Sequence, residues 1–120
     1  MLIRIDTDSA QPLFEQIAAS VRAEVLAGRL RPGHRLPAAR ELAQAVDVNV
    51  HTVLRAYQEL RDEGLVDLRR GRGAVLSASA APLADLASDI TALVRRAAAL
   101  GLSPATLAAL IAAQNQERTS

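Results

Sequence analysis

The sequence predicts a mainly α fold carrying one small β-hairpin, an α+β arrangement, and three observations lead there. Half of the residues are apolar but only Phe14 and Tyr57 are aromatic, so the core must come from Leu, Val, Ile and Ala, which favours helices over a sandwich or barrel. Apolar residues recur at spacings of three and four over most of the chain, the period of a helix with one buried face. Two short runs rich in branched residues flank Arg70-Gly71-Arg72-Gly73, where glycines permit a tight hairpin tip. A length of 120 residues fits one domain plus a small appendage.

Taken in order, residues 2–5 alternate weakly, as a short strand would. Gln11-Pro12 then opens a helix whose apolar face is Leu13, Phe14, Ile17, Ala18, Val21, Val25 and Leu26. Pro12 suits its first turn, Ser9 stands upstream as a candidate cap, and Gly28 ends it. Proline and glycine mark 29–37 as a connector. A short second helix spans about 38–45 and turns Leu42, Ala43 and Val46 inward. Asp47-Val48-Asn49 is a turn in which Asn49 caps a third helix from about Val50 to Glu63, stopped by Gly64. That helix is expected to bury Val53, Leu54, Tyr57 and Leu60. Helix, three-residue turn and helix match the spacing of a helix-turn-helix. The runs 65–69 and 74–77 follow as strands, with Val66 and Leu68 on one face. Two strands alone are marginal, so they must lean on the helices. The expectation for residues 1–77 is therefore a winged helix-turn-helix domain.

Residues 78–82 are small and polar enough for a linker, leaving 83–120 as a separate helical segment. In it Leu83, Leu86, Ile90, Leu93, Ala97 and Leu100 follow spacings of 3, 4, 3, 4 and 3, the seam used by helices packing side by side. Gly101 closes this helix, Ser103-Pro104 opens another faced by Leu107, Leu110 and Ile111, and 114–120 reads as a frayed polar end. Two short helices with so narrow a stripe have little to bury it in. Either a second copy covers the seam, making a C-terminal two-helix dimerisation segment, or the pair folds back on its own winged domain.

Net charge is only +1, but its distribution is uneven. Between Gly28 and Leu76 nine arginines face six acids, and every cation in the chain apart from histidine is Arg. A GC-rich coding bias accounts for that choice, yet it also supplies planar forks suited to phosphates and guanine edges. The first turn of the third helix should enter a major groove, where base edges carry a readable code. Its outward residues are Asn49, Val50, His51 and Thr52, with Arg55 just beyond. Asn49 equally fits a pure cap, and His51 a solvated surface imidazole; Tyr57 belongs to the core. Arg40, early in the second helix, can reach a phosphate or pair with a nearby acid. Arg69, Arg70 and Arg72 crowd the hairpin around Gly71, a repulsive arrangement that folding does not need but a DNA backbone rewards.

Other classes lack support. There is no cysteine, and His34 and His51 form no metal-spaced pair, so neither a metal nor another cofactor is expected. The serines lack a nucleophile-elbow context and no phosphate-binding glycine loop precedes a helix, so no enzyme is expected. No apolar run reaches signal-peptide or membrane-span length, which leads to the expectation of a cytoplasmic protein with no membrane partner. A protein-binding adaptor would present an apolar or acidic recognition face. An architectural DNA binder would carry more distributed positive charge than this chain has.

Several stretches resemble the GntR family of bacterial transcription regulators. They are Leu36-Pro37-Ala38-Ala39-Arg40-Glu41-Leu42-Ala43, Thr52-Val53-Leu54-Arg55-Ala56-Tyr57-Gln58-Glu59-Leu60, Glu63-Gly64-Leu65-Val66 and Arg70-Gly71-Arg72-Gly73. Gln11-Pro12-Leu13-Phe14-Glu15-Gln16-Ile17 and the run Arg55-Ala56-Tyr57-Gln58-Glu59-Leu60 look most like its YtrA-like subfamily, which carries a short two-helix dimerisation tail. The resemblance covers residues 1 to about 77 closely. It implies a homodimer on an inverted-repeat operator in double-stranded DNA, usually a repressor, with DNA contacts at Arg40, Asn49, His51, Thr52 and Gly71. It also implies control by a small-molecule effector through the C-terminal part. The chain departs from the family pattern at Ala38, where a Ser or Thr cap is usual, and at Asp47, which replaces a turn glycine. It departs again at Val50, where the subfamily often has proline, and at Leu54, where many members carry a DNA-contacting arginine.

Overall fold

A computed structural model describes residues 3–119. They form two compact units that divide between Asp85 and Leu86. The first holds α1 (Leu13–Leu26), α2 (Ala39–Val46), α3 (Val50–Asp62), β1 (Val66–Arg69) and β2 (Gly73–Leu76). A 3-10 turn, Ala78–Ala80, then leads into α4 (Ala81–Ala99), and α5 (Pro104–Thr119) follows.

In the first unit α3 is the central element, packing against α1, α2 and β1. Ile17, Val21, Val53, Leu60, Val66 and Leu76 lie fully inside, so one aliphatic cluster joins helices and hairpin. Burying each such side chain is worth about 1.5–3 kcal/mol, which is how a four-residue strand pair becomes stable here. β1 and β2 are antiparallel, with Val66 opposite Leu76 and Arg69 opposite Gly73. Ser77 Oγ ties the hairpin to the end of α3 by donating to the Gly64 carbonyl at 2.6 Å.

The connector supplies a third edge to this sheet. Gly33 N–H donates to the Leu76 carbonyl, Leu76 N–H to His34, and Leu36 N–H to Ala74, at 2.8–2.9 Å. Arg35 thereby pairs with Val75. Residues 3–6 are not a strand, and Leu2 lies outside the described residues. They run along α1 instead, held by the buried Gln16, whose Oε1 accepts from Asp6 N–H at 2.7 Å while Nε2 donates to the Asp6 and Gln11 carbonyls. Ser9 caps nothing: its Oγ accepts from Gln11 N–H within the preceding turn, and Pro12 stands at the N-cap of α1.

The turn between α2 and α3 is built by one non-glycine residue in the left-handed region, Asp47 (φ 56°). Val48 N–H closes back onto the Ala43 carbonyl at 3.0 Å. The same closure ends α3, where Gly64 takes the left-handed position and Leu65 N–H reaches the Leu60 carbonyl. α2 has no side-chain cap at Ala38, as the sequence implies.

Residues 78–82, expected as a linker, are the 3-10 turn and the start of α4, and Ala80 is buried in the core of the first unit. In the second unit α4 ends at Gly101, with Leu102 N–H on the Ala97 carbonyl at 2.8 Å. Ser103 Oγ caps α5 by accepting from Thr106 N–H at 3.1 Å. Helix α5 continues to Thr119, so 114–119 is helical rather than an irregular end, and Ser120 lies outside the described residues. Among the described residues no single helix is long and apolar enough to cross a membrane.

Candidate nucleic-acid interface

The N-terminus of α3 is presented by the Asp47–Asn49 turn. Asn49 is its cap, with Oδ1 accepting from His51 N–H at 2.8 Å. That bond fixes the Asn49 side chain and leaves its amide N–H groups without a partner among the described residues. His51 is exposed, and its ring has no partner among the described residues. Thr52 is half-buried beside it. Val50, expected to point outward, is half-buried and packs against the core. The helical period explains this, because Val50, Val53, Tyr57 and Leu60 share the inward face. Leu54, expected in the core, is 40% exposed, and Ala56 is buried beside Val53 instead.

Tyr57 is buried as expected, and its hydroxyl donates to the Pro37 carbonyl at 2.7 Å. Burial pushes that hydroxyl well above the usual phenol range, so it stays a proton donor. The bond pins the residues that precede α2 and so fixes where α2 begins. Arg40, in the first turn of α2, is exposed and has no ion-pair partner among the described residues, so the salt-bridge alternative is not realised.

The wing tip is a three-residue turn, Arg70-Gly71-Arg72, with Gly71 at φ 79°. Arg72 N–H donates to the Arg69 carbonyl at 3.1 Å, and Arg35 Nε braces the tip by donating to the Arg72 carbonyl at 3.0 Å. The side chains of Arg70 and Arg72 are exposed without ion pairs among the described residues, whereas Arg69 Nη2 lies 3.5 Å from Asp67 Oδ2. On β1 Val66 is buried but Leu68 is 41% exposed, although alternation puts both on one face. Leu68 and Leu54 line a groove of about 410 Å³ between α3 and the wing, together with Pro37, Arg70 and Arg72.

The arginines thus divide into two populations. Arg22 and Arg29 are spent on structure. Arg22 grips Glu63 across α1 and α3 (Nε to Oε2, 3.0 Å), and Arg29 forks onto the buried Glu24 at 3.0–3.2 Å. The hydrogen bonds to Glu63 and Glu24 raise the two guanidinium pKa values still further. Arg40, Arg55, Arg70 and Arg72 keep their N–H edges free of carboxylates among the described residues. Arg55 is held differently: its Cζ lies 3.9 Å from the centroid of the Phe14 ring. The helical period puts Phe14 on the apolar face of α1, where it packs against the core, but signals neither this seat nor the Arg35 brace. Both contacts join residues far apart in the chain, and no local pattern announces them.

Three helices, the third entered through a tight turn with an exposed start, followed by an antiparallel hairpin tipped with unpaired arginines, define a winged helix-turn-helix protein of the nucleic-acid-binding class. Residues 13–76 match the family of bacterial regulatory proteins known as the gntR family. The chain is 42% identical over 79 residues to the HTH-type transcriptional repressor YtrA of Bacillus subtilis, covering 66% of this chain and 61% of that protein. It is 39% identical over 101 residues to the HTH-type transcriptional regulator Rv1152 of Mycobacterium tuberculosis, covering 84% of each. Among solved structures, YtrA from Sulfolobus acidocaldarius, a GntR-family transcription factor, superposes with a TM-score of 0.61 at 33% identity, covering 82% of this chain and 99% of that one. This chain belongs to the GntR family of DNA-binding transcription regulators. Its relatives and its fold are those of regulators, not enzymes.

Proposed function

We propose that the chain is a homodimeric, sequence-specific repressor that binds an inverted-repeat operator. The observation that carries this reading is the placement of free donors: the first turn of α3 offers Asn49, His51 and Thr52, and the wing offers Arg70 and Arg72. Base-edge donors on a helix and unpaired cations on a neighbouring turn are the two components that specific DNA binding needs. In this reading α3 enters the major groove and the wing engages the backbone or minor groove. Two copies place their third helices in successive major grooves roughly 34 Å apart.

The second unit supplies the pairing surface. Leu86, Ile90 and Leu93 on α4, and Leu110 and Ile111 on α5, are all exposed within the single chain. Ala97 is buried within the chain and Leu83 and Leu107 are half-buried, so the exposed members of the seam are the ones offered to a partner. Contiguous exposed apolar stripes mark association surfaces. A repressor role follows the named function of the Bacillus subtilis relative, and binding would block polymerase at the operator. A small-molecule effector would act through this second unit, in the cytoplasm where such regulators meet DNA.

The test separates reading from anchoring. Arg72→Ala should weaken binding to operator and random DNA alike and lower the salt slope by about one. His51→Ala should change base preference, costing about 1–3 kcal/mol at the contacted pair while leaving random-DNA binding in place. Equal effects of both substitutions on both kinds of DNA would sink the proposed division.

A further inference from the structure

Arg55 lies one turn beyond the groove-facing residues of α3, and its surroundings are unlike those of any structural arginine in the chain. Arg22 and Arg29 hold carboxylates with their N–H edges. Arg55 instead rests its guanidinium on the Phe14 ring, 3.9 Å from the centroid. A ring face holds the flat of a guanidinium and makes no claim on its edge, so the donors stay available while the side chain loses its freedom. Leu13, Phe14, His51, Thr52 and Arg55 line one open cleft between the start of α1 and the first turns of α3. Its one full charge is the Arg55 guanidinium, the Thr52 hydroxyl adds a donor, and no carboxylate lines it. Such a set suits a single oxyanion.

We propose that this cleft binds one phosphodiester group of the DNA backbone at the edge of the major groove, with Arg55 as its charged ligand and Phe14 as a positioning residue. The inference rests on the reading of α3 as the groove-entering helix. Arg55 then serves as an anchor that fixes how deeply α3 sits, distinct from the wing arginines on the other side of that helix's groove. Phe14 acts only through Arg55, by holding the guanidinium where the phosphate arrives.

The test is operator binding across a salt series, using a duplex selected by the wild-type protein, for five variants of the full chain. Arg55→Gln should weaken binding roughly fivefold to tenfold near 0.1 M salt and make the salt slope shallower by about one. Phe14→Leu should cost roughly twofold to fivefold, the strength of an exposed cation–π contact. Phe14→Tyr, which keeps the ring face, should recover most of that loss. The double variant Phe14→Leu/Arg55→Gln should bind no worse than Arg55→Gln alone, because Phe14 has nothing left to position. Arg55→Lys, which keeps the charge, should keep the slope. Thermal melts establish which variants fold; if Phe14→Leu does not, Phe14→Tyr and the slope of Arg55→Gln still decide. An unchanged slope in Arg55→Gln, or additive losses in the double variant, would overturn the proposal. Failure of the wild-type chain to select any duplex would overturn the function on which it rests instead.

Discussion

The two units of this chain handle their apolar residues in opposite ways. In the first, Ile17, Val21, Val53, Leu60, Val66 and Leu76 disappear into a core shared by three helices and a hairpin. In the second, two well-capped helices leave Leu86, Leu93, Leu100, Leu110 and Ile111 in solvent. Both units obey local rules equally well: α4 ends in a left-handed glycine and α5 begins with a serine cap and a proline. Helix-forming signals alone therefore do not make a self-sufficient fold. A 35-residue pair of helices has too few layers to hide its own stripe. The first unit buries its apolar residues within one chain, and the proposed dimer would cover the stripe that the second leaves exposed.

The sharpest way to break this contrast is a charge in the exposed seam. Leu93→Glu should convert the protein to a monomer in sedimentation equilibrium and lower operator affinity by about two to four orders of magnitude, since the two half-sites would then be bound separately. Retained dimerisation would place the pairing surface elsewhere. A matching substitution inside the first unit should do the reverse. Leu60→Ala removes a fully buried side chain at the junction of α3 and the hairpin and should cost about 2–5 kcal/mol in urea denaturation, with oligomeric state unchanged below the transition. The smallest effect concerns the turn before α3. Asp47 occupies a left-handed conformation that favours glycine, so Asp47→Gly should raise stability by about 0.5–1 kcal/mol in the same assay. A loss there would show that the Asp47 side chain contributes more than its backbone strain costs.

Much of the first unit was legible because its signals are local. Gly28 and Gly64 stop helices, Asn49 caps α3, Asp47 tolerates the left-handed turn, and the helical period marks Ile17, Val21, Val53 and Leu60. What escaped depends on contacts made at a distance. The third edge of the sheet is formed by backbone groups of Gly33, His34 and Leu36, and backbone bonds carry no residue signature. Leu54 was misplaced because it sits at the margin of the apolar stripe, where hydrophobicity alone cannot say which side of the helix is covered. Residues 78–82 looked like a linker by composition, yet four of those five are alanine or serine residues short enough to pack, and Ala80 does. In the candidate site, charge and spacing single out Arg40, His51, Arg70 and Arg72 as candidates. Their freedom from carboxylates, and the Phe14 seat for Arg55, required the folded arrangement.

On the proposed function, a dimer of this chain reads a two-fold DNA sequence. Selection from a random duplex library with the full chain, repeated at two salt concentrations, tests it most directly. The expected result is enrichment of an inverted repeat whose half-sites lie about one helical turn apart, with the preference persisting at the higher salt. Binding that enriches no sequence, and that fades with salt as pure phosphate contact does, would contradict it.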